Sequence, residues 1–180
     1  MRPTSRTLAI ALVTLVLAGA PDRADLAPGR PGDAPPKGTT GPQEVEVVAV
    51  VMNPRTETPA VVLEGKRDRR RVAMAIGAAE ATGIAVPLSG VTPPRPLTHD
   101  LFLTLFGRLN VSLTRVVITD LRDDIYYATV HVSGGGSEMT RDSRPSDAIA
   151  LAIRARVPVL VKDRVFDKGG AGAPAGRPHI

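Results

Sequence analysis

Two stretches of this chain lack the means to fold, and they bound what remains to be explained. Residues 21–42 (PDRADLAPGRPGDAPPKGTTGP) and 169–180 (GGAGAPAGRPHI) are rich in Pro and Gly and nearly empty of large apolar side chains. Such segments bury too little surface to offset the entropy of ordering them. A disordered linker and a disordered tail therefore bracket one domain at residues 43–168, an ordinary domain size. Ahead of the linker, Arg2 and Arg6 are followed by residues 8–20 (LAIALVTLVLAGA), an uncharged apolar run of 13 residues. That is short for a membrane span and suits the apolar region of a signal peptide, with Ala18-Gly19-Ala20 as a small-x-small cleavage pattern. Residues 1–20 thus read as a signal peptide and the protein as exported, periplasmic or extracellular. No stable membrane association is expected beyond that segment. Pro21 directly after the pattern argues against efficient cleavage, so the leader can stay attached.

The core has to be aliphatic, because the chain holds three Phe, two Tyr and no Trp. It has no Cys either, which excludes disulfides, thiolate metal sites and cysteine nucleophiles. The net charge of +5 suggests nucleic acid only until it is partitioned. Residues 43–168 carry 17 basic and 15 acidic side chains, so the domain itself is close to neutral. Phosphate binding would have to come from local clusters rather than from a broad basic field.

Inside the domain, β-branched runs predict strands at residues 45–52 (VEVVAVVM), 59–63 and 71–76. Asn53-Pro54-Arg55-Thr56 and Glu64-Gly65-Lys66 are turn signals between them. Residues 78–88 have helical composition, weakened by Gly83 and Pro87. Residues 91–96 are a proline-rich loop. Thr98 can cap a helix running to about residue 109, with Leu101, Phe102, Leu105, Phe106 and Leu109 on one apolar stripe. Residues 115–121 and 125–132 read as a hairpin around Arg122-Asp123-Asp124. Gly134-Gly135-Gly136 then turns the chain into residues 137–142. Pro145 opens a helix through residue 156, and residues 157–161 (VPVLV) form a last, central strand. Hairpins with inserted helices argue for an α+β fold: a single domain with a mixed, largely antiparallel β-sheet and two or three packed helices.

Three stretches carry a resemblance. They are residues 93–101 (PPRPLTHDL), residues 116–121 (VVITDL) followed by a charged turn and Tyr126-Tyr127-Ala128, and residues 142–151 (DSRPSDAIAL). Residues 71–80 (RVAMAIGAAE) fit the same pattern. In order and spacing the set resembles the bifunctional nuclease domain found in bacteria and plants, over nearly all of residues 44–168. Ala73-Met74-Ala75, Gly83, Pro87 and Ser143 depart from the usual family pattern, and so does the leader. The resemblance implies a nuclease acting on DNA and RNA, with little sequence preference.

Phosphodiester hydrolysis needs an activated water and positive charge on the phosphate. His99-Asp100 at a helix start is a candidate general base or metal ligand; the plain alternative is a helix cap beside a partly buried histidine. Arg144-Pro145-Ser146-Asp147 is a second helix start, where Arg144 could clamp phosphate and Asp147 could join the catalytic set. Capping and a structural ion pair explain the same residues equally. Asp100, Asp142 and Asp147 are the candidate metal ligands, for Mg²⁺ or Mn²⁺. Arg95 and Arg122 are further candidates for nucleic-acid binding. The basic run Lys66-Arg67-Asp68-Arg69-Arg70-Arg71 either docks a nucleic-acid backbone or is a solvated hairpin. Two rivals stand beside the nuclease: a non-catalytic module that binds a ligand or assembles, a homo-oligomer included, and a nucleic-acid-binding regulator that does not cut.

Overall fold

The computed structural model describes residues 41–54 and 56–170. The expected leader, the linker up to residue 40 and the tail from residue 171 lie outside the described residues. No helix among the described residues is long and apolar enough to cross a membrane.

Seven strands and four helices follow one another as β1 (Gln43–Met52), β2 (Pro59–Gly65), β3 (Arg71–Ala75), α1 (Ala78–Leu88), α2 (Thr98–Arg108), β4 (Val111–Arg122), β5 (Ile125–Gly134), β6 (Ser137–Ser143), α3 (Pro145–Ala155), β7 (Val159–Val161) and α4 (Asp163–Gly169). All strands join one sheet in the order β3-β2-β1-β7-β4-β5-β6. Only the β4–β7 pairing is parallel, so the sheet is mixed and largely antiparallel, as the pattern of hairpins and helices implies. The short strand β7 lies at its centre, where both neighbours bury it.

The β4–β5 turn is tighter than the three-residue reading. Arg122 still pairs with Ile125, and only Asp123 and Asp124 turn, with φ of 48° and 61°. Two consecutive positive φ values are what a two-residue hairpin requires, and Asp tolerates them better than most residues. The β5–β6 turn does the same with Gly135 and Gly136.

One aliphatic core fills one face of the sheet. Val61, Leu63, Val72, Met74, Val116 and Ile118 from the strands meet Ile84 of α1, Ile149 and Ala152 of α3, and Val165 and Phe166 of α4. Small residues on α3 (Ala148, Ala150, Ala152) are fully buried and let its backbone approach the layer beneath. The fourth helix was hidden in the sequence because it has only seven residues and ends at Gly169, inside the stretch expected to be tail.

Two local expectations are corrected. Thr98 is not the cap of α2 but its first residue. Leu97 holds the cap position, and the Asp100 carboxylate accepts its backbone N–H at 2.8 Å. The apolar stripe on α2 is also not a buried face. Leu101, Phe102, Leu105 and Leu109 are 56%, 45%, 59% and 69% exposed, while Leu103 and Phe106 point to the core.

Candidate active site

Three helix starts converge through their charged side chains. Glu80 is the third residue of α1, His99 the second of α2, and Asp147 the third of α3. Arg144 stands immediately before α3, where its backbone is extended and Pro145 begins the helix without a donor to lose. Its Nε donates to Asp147 Oδ2 at 2.8 Å and its Nη2 to Asp147 Oδ1 at 3.3 Å. Its Nη1 donates to Glu80 Oε1 at 2.9 Å. His99 Nε2 lies 3.3 Å from Asp147 Oδ1. The result is a chain of contacts, Glu80–Arg144–Asp147–His99, drawn from three helices.

The members differ in access. Arg144 is 66% exposed, whereas the His99 side chain is only 16% exposed. The other edge of the imidazole packs against Gly83 of α1, where an added Cβ would sit 3.3 Å from His99 Nδ1. Burial pushes the Asp147 carboxyl up, but the hydrogen bonds from Arg144 and His99 outweigh it, and the group stays ionised below its usual range. The hydrogen bonds it donates to Asp147 raise the Arg144 guanidinium further above its usual value.

Arg144 lines a cleft of about 450 Å³ with Glu80, Asp124, Ser146, Tyr126 and the apolar Met74, Ile76 and Ile125. Burial and the nearby Asp124 carboxylate both raise the Tyr126 hydroxyl pKa, so it stays a neutral donor. By sequence none of Glu80, Asp124 and Tyr126 is a candidate site residue: Asp124 belongs to a turn and Tyr126 to a family-like motif. Glu80 looks there like an ordinary first-turn acid. Only the docking of α1 on α3 shows it facing Arg144.

Asp100 belongs to a neighbouring arrangement. Burial works against its charge, yet the Leu97 N–H and the Arg154 guanidinium hold the carboxyl below its ordinary range. Arg154 Nε donates to Asp100 Oδ1 at 2.8 Å, and its Nη1 to the Gly83 carbonyl at 2.6 Å and the Ala150 carbonyl at 3.0 Å. Arg154, too, escaped the sequence reading, as a single basic residue in the last turn of an apolar helix.

The remaining candidates lie apart. Arg95 is exposed on the proline loop and engages no other described residue. Arg122 donates to Asp120 Oδ2 at 2.9 Å and stacks 4.6 Å over the Tyr127 ring. Asp142 is exposed on β6, paired with Thr129. Asp100, Asp142 and Asp147 therefore do not form one ligand set. Asp100 and Asp147 already face Arg154, Arg144 and His99. Among the described residues no three His, Asp or Glu side chains are grouped to hold a metal ion. This donor arrangement does not fit a resident divalent cation.

The basic run resolves into ion pairs. Lys66 meets Glu44, Arg67 meets Asp163, Arg69 and Arg71 share Glu64, and Arg70 meets Asp68, Asp163 and Asp167. Its cations are largely spent within the fold.

Comparison with known proteins agrees with these motifs. The model of the bifunctional nuclease domain matches residues 61–173, a span holding every residue of the cluster. An uncharacterized protein of Mycobacterium tuberculosis is 36% identical over 131 residues, which cover 73% of this chain and 78% of that protein. Bifunctional nuclease 1 of Oryza sativa subsp. japonica is 30% identical over 86 residues, 46% of this chain and 26% of the rice protein. With a family match across most of the folded domain and a relative aligned over most of its own length, the chain belongs to the bifunctional nuclease domain family.

Proposed function

We propose that the protein is a nuclease that hydrolyses phosphodiester bonds of DNA and RNA at the cleft beside Arg144. The observation that carries this reading is an exposed guanidinium fixed by two carboxylates at the start of a helix. Three of the five N–H groups of Arg144 are committed to Asp147 and Glu80. Two are left for phosphate oxygens. The first free amides of α3 add partial positive charge beside them. Glu80, one hydrogen bond from Arg144, is the carboxylate placed to take a proton from the attacking water. The water oxygen bonds to phosphorus as the P–O ester bond breaks, and the departing oxygen takes a proton from solvent. In this reading His99 acts through Asp147 as a positioning residue, since Asp147 and Gly83 occupy both edges of its ring.

The test is a cleavage assay on the full chain with single- and double-stranded DNA and with RNA, in Mg²⁺, in Mn²⁺ and in EDTA. Short products are expected, with rates reduced about 100-fold or more in Arg144→Ala and Glu80→Gln. The metal arms report whether a divalent ion enters with the substrate. No product under any condition from a chain folded by circular dichroism ends the nuclease reading. Full activity in both variants removes these residues from it. Export belongs to the same proposal, on the strength of the leader. Alkaline phosphatase fused behind residues 1–20 is active only if the leader exports it.

Assembly is a second reading, favoured by the uncovered apolar face of α2. Sedimentation equilibrium decides it: a mass that stays monomeric as concentration rises rejects assembly.

A further inference from the structure

A second cavity, of about 330 Å³, opens where the end of α1 and the proline loop meet α2 and α3. Its walls are Val86, Pro87, Val91, Pro93 and Pro96. Thr92 aside, the polar groups lining it are Asp100 and Arg154. We propose that this cavity is a nucleobase subsite that takes guanine from a single-stranded stretch of substrate; it rests on the nuclease reading above and adds a base preference to it.

The floor of the cavity is a built hydrogen-bonding edge. The Arg154 side chain is 7% exposed, and its Nε and Nη1 are held by Asp100, Gly83 and Ala150. Its Nη2 makes no hydrogen bond among the described residues. No side-chain nitrogen or oxygen among the described residues is both fully buried and unpartnered, so Nη2 keeps contact with solvent, and Arg154 is one of the residues lining this cavity. Asp100 Oδ1 accepts from Arg154 and Oδ2 from the Leu97 N–H. Each oxygen retains a further lone pair. The floor therefore offers one donor nitrogen, Nη2 with its two N–H groups, beside two acceptor oxygens.

That pattern selects a ligand class. A free anion meets the Asp100 carboxylate, and a free cation meets Arg154. A neutral group presenting one acceptor beside two donors satisfies both. Guanine presents O6, N1–H and N2–H in that order. Adenine, cytosine and uracil do not offer an acceptor followed by two donors. Flat apolar walls suit a planar ring and need no aromatic partner to bury it. The edge being read is the one a paired base hides, so the nucleotide must be unpaired. Asp147 and Arg154 lie seven residues apart on α3, roughly 10 Å along its axis. The consecutive His99 and Asp100 bridge the same gap from α2. A strand whose phosphate meets Arg144 can thus lay a nearby base in the cavity.

The test titrates the ¹⁵N-labelled full chain with GMP, AMP, CMP, UMP and inosine monophosphate, none of which has an internucleotide bond to cut. GMP is expected to shift the amides of Val86, Val91 and Leu97 and to bind at least tenfold more tightly than AMP, CMP or UMP. Inosine monophosphate, which lacks the N2 amine, should fall between them. Asp100→Asn should erase the preference. Val91→Trp, at an exposed loop position, should fill the cavity and abolish those shifts without touching the ion pair. Equal shifts from all five nucleotides, or none at these amides, overturn the subsite. Cleavage without such shifts leaves the nuclease standing alone. GMP bound here by a chain that cuts nothing retains the pocket and rejects the nuclease.

Discussion

Gly83 costs α1 helix propensity, and the reason lies on α2. An added Cβ would come within 3.1 Å of His99 Cε1, and the Gly83 carbonyl accepts from Arg154. The imidazole has little room to yield, being held by Asp147 on its other side. Helix propensity alone would make Gly83→Ala stabilising by about 1 kcal/mol. The contact predicts the opposite sign, a loss of about 1–2 kcal/mol from overpacking. Urea denaturation against Thr82→Ala, a control at an exposed position of the same helix, checks this. A Gly83→Ala protein more stable than the parent would mean that His99 moves freely.

At the scale of elements, α2 is held by its polar start, by Leu103 and by Phe106, the one member of its apolar stripe that packs on the core. Asp100 binds Arg154, His99 binds Asp147, and Leu103 and Phe106 pack on the core. Phe106→Ala should therefore cost about 2–3 kcal/mol, below the range for a fully buried Phe because this one is partly exposed. Leu105→Ala should cost under about 0.5 kcal/mol. Equal losses in chemical denaturation would show that the Leu105 face is covered in solution. The short helix α4 is likewise tied by charge: Lys168 donates to Asp120 Oδ1 at 3.0 Å and to the Leu121 carbonyl, and Arg164 donates to the Thr119 carbonyl. Asp120, an acid near the end of an apolar strand, is thereby an anchor for that helix.

For the molecule as a whole, depressed carboxylates set the acid limit. The hydrogen bond from Lys168, together with Arg122, the Leu121 N–H and Arg164, holds Asp120 well below the usual carboxylate range against the opposing effect of burial. In Asp68, Asp100 and Asp147 burial acts upward, and hydrogen bonds to arginine and backbone prevail. Groups with folded values below their unfolded ones contribute fully above the unfolded value, near 3.9, and lose that contribution as pH falls through the folded values. The unfolding temperature should thus owe no loss to these groups between pH 7 and about pH 5 and drop steeply below about pH 4. Asp120→Asn should flatten that drop. An acid limb unchanged in this variant would remove Asp120 from the account. Charge also predicts binding behaviour. Because Lys66 and Arg69 are already paired with Glu44 and Glu64, the Lys66→Gln, Arg69→Gln double variant should leave the salt dependence of single-stranded DNA binding nearly unchanged. A slope shallower by about 1.4, the value for two lost phosphate contacts on a single strand, would place the run in the interface.

Local pattern alone was enough for much of this. β-branched runs, Pro145 at a helix start and turn residues between apolar segments located all seven strands and three of the four helices, because each depends on neighbours in the chain. The helix starts at His99-Asp100 and Arg144–Asp147 were legible for the same reason. Their partners were not. Glu80 meets Arg144 across 64 residues, His99 meets Asp147 across 48, and Arg154 meets Asp100 across 54. Such pairings follow from how α1, α2 and α3 dock on one another, which no local spacing encodes. The exposed face of α2 has the same origin. An amphipathic pattern states that a helix has two faces, and only the packing of its neighbours decides which one is covered.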